Sequence, residues 1–306
     1  MKQTKKLISM MGAVAVGKWL NEQLRLPVGV SREWLEVDGI SRSFLLYIPA
    51  MVYENNRPAP LVVNLHGYGS WPTSQIRITG WNDLADQEGF VVAYPAATGV
   101  PKRWHTDVAA AGGVDDLAFL AAVMEQVAQR VAIDRSRVYL SGMSNGGGMV
   151  NAMARLRPAG IAAIGTVAGA YVAPVGDAPA PLPPIPLVAF HGTADRVVPY
   201  EGGAIYERGG WIFPAVDAWA ADWAERNGCA AEPTVTTLTE HVTETRYADC
   251  AGDNEVVLYT ITNGGHSWPK PGKTLRLYTV DPMLEAMDTT AVMWEFFARH
   301  ALPERR

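Results

Sequence analysis

The sequence predicts an α/β domain in which a mostly parallel central sheet carries helices on both faces and an N-terminal β-hairpin leads in. Three observations carry this reading. Short, nearly continuous apolar runs recur along the chain, helical patterns stand between them, and a hairpin pattern precedes them all. Strands buried on both faces lose the apolar/polar alternation, and strands separated by helices pair in parallel.

The hairpin spans 33–48: Trp34 to Val37, a turn at Asp38-Gly39, then Phe44 to Ile48 stopped by Pro49. The apolar runs are Leu61 to Leu65, Phe90 to Tyr94, Val138 to Leu140, Ile164 to Val167, Leu187 to Phe190 and Val256 to Ile261. Asp116 to Val131 reads as a helix, with Leu117, Leu120, Ala121, Met124 and Val127 on one face and Asp115 or Asp116 as its cap. Residues 146–156, 215–227 and 288–300 read the same way. The proline-rich stretch 172–186 is expected as an extended surface loop, and Pro199 to Pro214 as an insertion; both adjoin the acid position discussed below.

Composition narrows the function classes. The chain has 306 residues, a net charge of −5, 48% apolar and 19% charged residues, and ten tryptophans, which excludes a disordered or solvating polymer. Nucleic acid is not an expected partner, because the one dense basic cluster is Lys2, Lys5 and Lys6 at the N-terminus. No apolar run has the length of a membrane span. Residues 1–25 have two readings. The lysines before Leu7 to Gly17, with small residues at Ala13, Ala15 and Gly17, sketch a secretory signal and a secreted or periplasmic protein; Lys18, Asn21, Glu22 and Arg25 sketch a retained amphipathic helix. Cys229 and Cys250 are either two unrelated thiols or one bridge closing a loop of about twenty residues, worth roughly 3 kcal/mol.

The chemistry centres on Gly142-Met143-Ser144-Asn145-Gly146, a G-x-S-x-G pentapeptide between a predicted strand and a predicted helix. That is the setting of a nucleophile elbow, where the turn is strained and the helix N-terminus faces the reacting centre. A serine hydroxyl needs a general base held by a carboxylate. Asp195 follows one apolar run in His191-Gly192-Thr193-Ala194-Asp195, and His266 follows the next in Thr262-Asn263-Gly264-Gly265-His266. Both sit at the carboxyl ends of predicted strands, where a parallel sheet gathers its site residues. His66 and His191 are expected to fix loops through backbone hydrogen bonds. Asp249 and Asp253 precede a strand rather than follow one, and His105 precedes the serine. The scattered imidazoles show no metal-ligand spacing, so no metal and no cofactor is expected. Two amides must face the oxyanion: Asn145, and Tyr68 from Leu65-His66-Gly67-Tyr68-Gly69.

With these motifs assembled, the sequence resembles the esterase family that groups poly(3-hydroxybutyrate) depolymerases with feruloyl esterases, within the α/β-hydrolase fold. The resemblance runs from about Trp34 to His300. It rests on the motifs above, on Gly112-Gly113-Val114-Asp115-Asp116 and on Gly264-Gly265-His266-Ser267-Trp268-Pro269. It implies a catalytic domain over 30–306, Ser144 as nucleophile, Asp195 as acid, His266 as base, and a Cys229–Cys250 bridge. Where many members carry Cys after the oxyanion His-Gly, this chain has Tyr68, which retains only the backbone role. Extracellular depolymerases append a polymer-binding domain, and here the chain ends at Arg306, so adsorption to a solid polyester falls to aromatics such as Trp71, Trp104, Trp211 and Trp268. Trp104 and Trp268 are also expected to line the substrate pocket, which suits an aryl acyl group. The expected activity is a serine carboxylesterase on feruloyl or related aryl esters, with small or oligomeric esters as substrates. The alternatives are a short-chain or polyester hydrolase and an inactive α/β-hydrolase used as a binding module.

Overall fold

A computed structural model describes residues 26–55, 57–106, 114–156, 159–172, 183–205, 211–272 and 285–303. The N-terminal segment 1–25 and most of the proline-rich loop lie outside these. The chain opens with a hairpin of β1 (Val30–Val37) and β2 (Ile40–Tyr47). Asp38 and Gly39 form its two-residue turn with φ of 50° and 75°, the left-handed pair that matches strand twist. The predicted apolar runs become β3 (Ala59–Leu65), β4 (Val91–Pro95), β5 (Ile133–Met143), β6 (Ala163–Val167), β7 (Leu187–Gly192) and β12 (Val256–Ile261).

A ten-stranded sheet has the order β1-β2-β4-β3-β5-β6-β7-β12-β11-β10, and the six strands from β4 to β12 in that order run parallel. β10 (Thr234–Thr237) and β11 (Val242–Tyr247) extend it antiparallel at one edge. Sequence reading missed both, because β10 is exposed throughout and the middle of β11 is Thr-Glu-Thr-Arg. The expected insertion at 199–214 includes a short antiparallel pair, β8 (Gly203–Ile205) with β9 (Trp211–Phe213).

The helices are α1 (Ala50–Glu54), α2 (Pro72–Thr79), α3 (Trp81–Glu88), α4 (Asp116–Arg130), α5 (Asn145–Leu156), α6 (Val216–Arg226) and α7 (Thr289–Ala298). The first three are too short to show a clear period and were not predicted. Alternation along the central strands divides the core. Leu61, Val63 and Leu65 pack with α4, α5 and α6, whereas Val62 packs with α2, α3 and α7 on the opposite face. The second face is aromatic, with Phe297 stacked on Tyr139 at 4.8 Å and Phe90 on Trp294 at 4.0 Å. Each such fully buried ring contributes about 1.5–3 kcal/mol. Cys229, beyond α6, is disulfide-bonded to Cys250, beyond β11. Among the described residues no helix is long and apolar enough to cross a membrane.

Candidate active site

Ser144 sits between β5 and α5 with φ of 56°, one of few non-glycine residues in the left-handed region. The tight turn is held on both sides. Ser144 N–H donates to Val167 C=O at 3.0 Å, and Ser144 C=O accepts from Gly148 at 3.0 Å and Ala170 at 2.9 Å. The flanking glycines are required by close approach: a Cβ on Gly146 would lie 2.5 Å from the Leu65 carbonyl oxygen, and one on Gly142 would lie 2.6 Å from that of Gly146. A Cβ on Gly67 would lie 3.2 Å from the Ser144 Cβ, so the loop after β3 is packed against the elbow.

That loop is fixed from within by His66, which is wholly buried. Nδ1–H donates to Gly67 C=O at 2.8 Å and Nε2 accepts from Ala97 N–H at 3.1 Å. Burial pushes the imidazole down to about 4 against the pull of the Gly67 carbonyl, with Lys102 acting in the same direction as burial, so the ring is neutral at pH 7. Gly69 N–H donates to Lys102 C=O at 2.8 Å, and the Lys102 ammonium lies 4.7 Å from the centre of the half-buried Trp71 ring. Among the described residues, neither Tyr68 N–H nor Asn145 N–H donates to a backbone carbonyl.

Asp195 and His266 come from the loops after β7 and β12, adjacent parallel strands. Those loops are bonded to each other through Ala194 N–H to Gly264 C=O at 2.8 Å and Asn263 N–H to Thr193 Oγ1 at 2.9 Å. His266 Nδ1 lies 2.7 Å from Asp195 Oδ2, and in the tautomer this bond selects the ring's lone pair sits on Nε2. Asp195 Oδ1 accepts from Val197 and Val198 N–H at 2.7 and 2.9 Å. His191 Nε2 donates to Val198 C=O at 2.9 Å and stands 3.4 Å from Asp195 Oδ2. Burial pushes the Asp195 carboxyl up, but the hydrogen bonds from His191, His266 and the Val198 amide outweigh it and hold the group well below the usual carboxylate range. The elbow after β5 and these two loops share the carboxyl edge of four neighbouring strands.

The two tryptophans expected in the pocket are placed otherwise. Trp104 is 1% exposed and donates from Nε1 to His66 C=O at 2.8 Å; Trp268 is 3% exposed and donates to Thr290 Oγ1 at 2.9 Å. Each indole places its N–H on an internal acceptor, so both rings pack beneath the loops instead of lining a pocket or offering an adsorbing surface. The Trp211 side chain lies outside the described residues.

Sequence reasoning also missed a polar cluster next to the elbow. Asp116 is wholly buried and accepts from Arg42 at 2.6 Å, from His105 N–H at 2.8 Å and from His105 Nδ1 at 3.1 Å. Asp115, not Asp116, caps α4, accepting from Ala118 N–H at 2.8 Å. A signal was present in β2: Arg42 falls in register with Phe44 and Leu46 on a buried face, where an unpaired cation is untenable.

The comparisons with known proteins agree with this architecture. The model of the family described as Esterase PHB depolymerase matches residues 42–182, a stretch holding Tyr68, Trp104, Asp116, Ser144 and Asn145. A bifunctional acetylxylan esterase/xylanase of Neocallimastix patriciarum is 34% identical over 53% of this chain and 23% of its own length. Feruloyl esterase B of Piromyces equi is 28% identical over 70% of this chain and 41% of its own. The chain therefore spans less than half the length of these two curated relatives. The solved acetyl xylan esterase from Aspergillus awamori superposes with a TM-score of 0.58 at 18% identity, over 79% of this chain and 96% of that one, a likeness of fold. The elbow, the sheet and the matched stretch give the chain the α/β-hydrolase fold and, over residues 42–182, a likeness to the esterase family that groups PHB depolymerases with feruloyl esterases.

Proposed function

We propose that this chain is a serine carboxylesterase in which Ser144 is the nucleophile, His266 the general base and Asp195 its acid partner. The observation that carries the reading is the Asp195–His266 hydrogen bond of 2.7 Å, on loops pinned at the sheet edge that also bears the strained Ser144. Ser144 Oγ attacks the ester carbonyl as His266 Nε2 takes its proton. The tetrahedral oxyanion rests on the Tyr68 and Asn145 amides, with the N-terminal dipole of α5 adding to the field. His266 then returns the proton to the leaving alcohol, and activates water to release the acid from the acyl-enzyme. Asp195 holds the ring's tautomer and stabilises the imidazolium that forms.

The favoured substrates are feruloyl or related aryl esters, supported by the relatives whose names carry that activity. A short-acyl reading is favoured by the acetylxylan esterase relative and fold neighbour. The disulfide supports an oxidising compartment, and so a secreted or periplasmic protein. Fluorophosphonate labelling of the wild type, lost in Ser144→Ala, tests the mechanism; a folded wild type that does not label is a binding module and not an esterase. The ratio of kcat/KM for methyl ferulate to that for p-nitrophenyl acetate separates the substrate readings. A ratio above one assigns the aryl acyl group, and a ratio far below one assigns the short acyl group. Pockets that differ by a few methylenes separate such esters by only about 1–3 kcal/mol.

A further inference from the structure

We infer that Asp116 is a positioning residue for the oxyanion site, acting through His105, Trp104 and the side chain of Asn145. The inference rests on the esterase reading above, in which the Asn145 N–H is an oxyanion donor. The Asn145 amide group is gripped at both ends by one residue's backbone: Oδ1 accepts from Trp104 N–H at 2.8 Å, and Nδ2 donates to Trp104 C=O at 3.1 Å. Two bonds to one residue fix the rotation of the Asn145 side chain and, through its Cα, the direction of its own N–H.

Trp104 is held in turn. Its indole donates to His66 C=O at 2.8 Å, tying it to the loop that supplies Tyr68, and its ring packs against Phe119 of α4 at 6.5 Å. The next residue, His105, donates its backbone N–H and its Nδ1 to Asp116 Oδ2, while Asp116 Oδ1 takes the Arg42 guanidinium. Arg42 also lies 3.8 Å from the centre of the Phe119 ring. Asp116 thus bonds the 104–105 segment to two rigid elements, β2 and α4. A buried ion pair is seldom a better source of stability than apolar packing of equal volume. Its directional bonds, however, fix a backbone in a way that apolar packing does not, and here the fixed backbone is the one that grips Asn145.

The test uses the full chain with Asp116→Asn, Asn145→Ala and the double variant, measured on a p-nitrophenyl ester and normalised by fluorophosphonate titration of active sites. Removing an oxyanion donor outright costs about 10²–10³ in kcat, so misdirecting one is expected to cost about tenfold to a hundredfold in either single variant. KM is expected to stay at the wild-type value. The double variant is expected to be no slower than the slower single, because both act on one donor. Wild-type kcat per titrated site in Asp116→Asn overturns the inference, as does a double variant that loses the product of the two single losses. If Asp116→Asn does not fold, Asn145→Ala decides alone, and unchanged kcat there overturns the inference. A wild type that fails to label removes the esterase reading and this inference with it; labelling with intact Asp116→Asn kinetics removes the inference alone.

Discussion

Asp116 and Asp195 are two buried carboxylates of similar local form whose charges are met differently. Each has an oxygen facing a histidine Nδ1, at 3.1 Å from His105 and 2.7 Å from His266, and each accepts from backbone amides. The difference lies on the other oxygen. On Asp116 it carries the Arg42 guanidinium, whereas on Asp195 it carries only the Val197 and Val198 amides. Among the described residues no Lys or Arg pairs with Asp195, so its negative charge faces two imidazoles, His266 at 2.7 Å and His191 at 3.4 Å, and no fixed cation. The Asp116 charge is already compensated. On the proposed reading, an aspartate–histidine contact alone does not mark a proton-handling pair; the charge on the carboxylate's remaining oxygen separates the pair proposed to stabilise an imidazolium from the one inferred to fix a backbone.

The largest effect that tests this contrast is Asp195→Asn, expected to lower kcat by about 10⁴-fold through loss of the ring's tautomer and of the uncompensated charge. The same change at Asp116 is expected to cost at most about a hundredfold. Equal losses measured on one ester would break the comparison.

Next in size, Arg42→Met leaves the Asp116 carboxylate buried without its cation and is expected to destabilise the fold by about 3–5 kcal/mol, read from urea midpoints. Adding Asp116→Leu to that variant is expected to restore most of the stability, since an apolar pair replaces the ion pair, but not kcat. Recovery of both would mean that Asp116 serves the fold alone.

The smallest effect sharpens the comparison with a third carboxylate. Glu255, at the amino edge of the sheet before β12, accepts from Arg299 at 2.7 Å and His300 at 3.2 Å, and pairs with Arg246. Burial pushes it up, but these donors bring it from 4.5 down to about 2. A folded-state carboxyl held below its unfolded value stabilises the fold above the unfolded pKa, and the contribution is lost as pH falls from about 4.5 toward about 2. Glu255→Gln is expected to flatten that limb of the stability–pH curve by on the order of 1 kcal/mol, after discounting for its solvent-facing partners. Activity per folded molecule at pH 7 should not change; a loss of kcat there would mean that cation-compensated carboxylates at either edge serve the site.

The elements that could be read from sequence are those whose physics is local. The hairpin turn at Asp38-Gly39, the unbroken apolar runs of β3 to β7 and β12, and the 3.6-residue face of α4 each follow from neighbours within a few residues. The Gly142 to Gly146 elbow is legible as a local strand–turn–helix pattern, although the close approach that requires Gly146 is to the Leu65 carbonyl on a different strand. His66 and His191 were read as loop-fixing residues, and their backbone hydrogen bonds fit that reading. The edge strand β10 and its neighbour β11 were hidden because β10 is exposed throughout and β11 is only part-buried between its ends, which removes the apolar signal on which the reading relied.

By itself, then, the sequence determined the hairpin, the order of the six parallel strands and the four longer helices among them, and the strand–turn–helix pattern around Ser144. Only the tertiary structure decided which polar groups meet. Arg42 reaches Asp116 across 74 residues, Trp104 grips Asn145 across 41, and Asp195 reaches His266 across 71. Periodicity fixes which face a side chain takes, but these partners are selected by the spatial order of the strands and by the requirement that every buried charge or polar group find a complement. The same requirement turned Trp104 and Trp268 inward, because an indole N–H beside internal acceptors is better satisfied there than at the rim of a pocket.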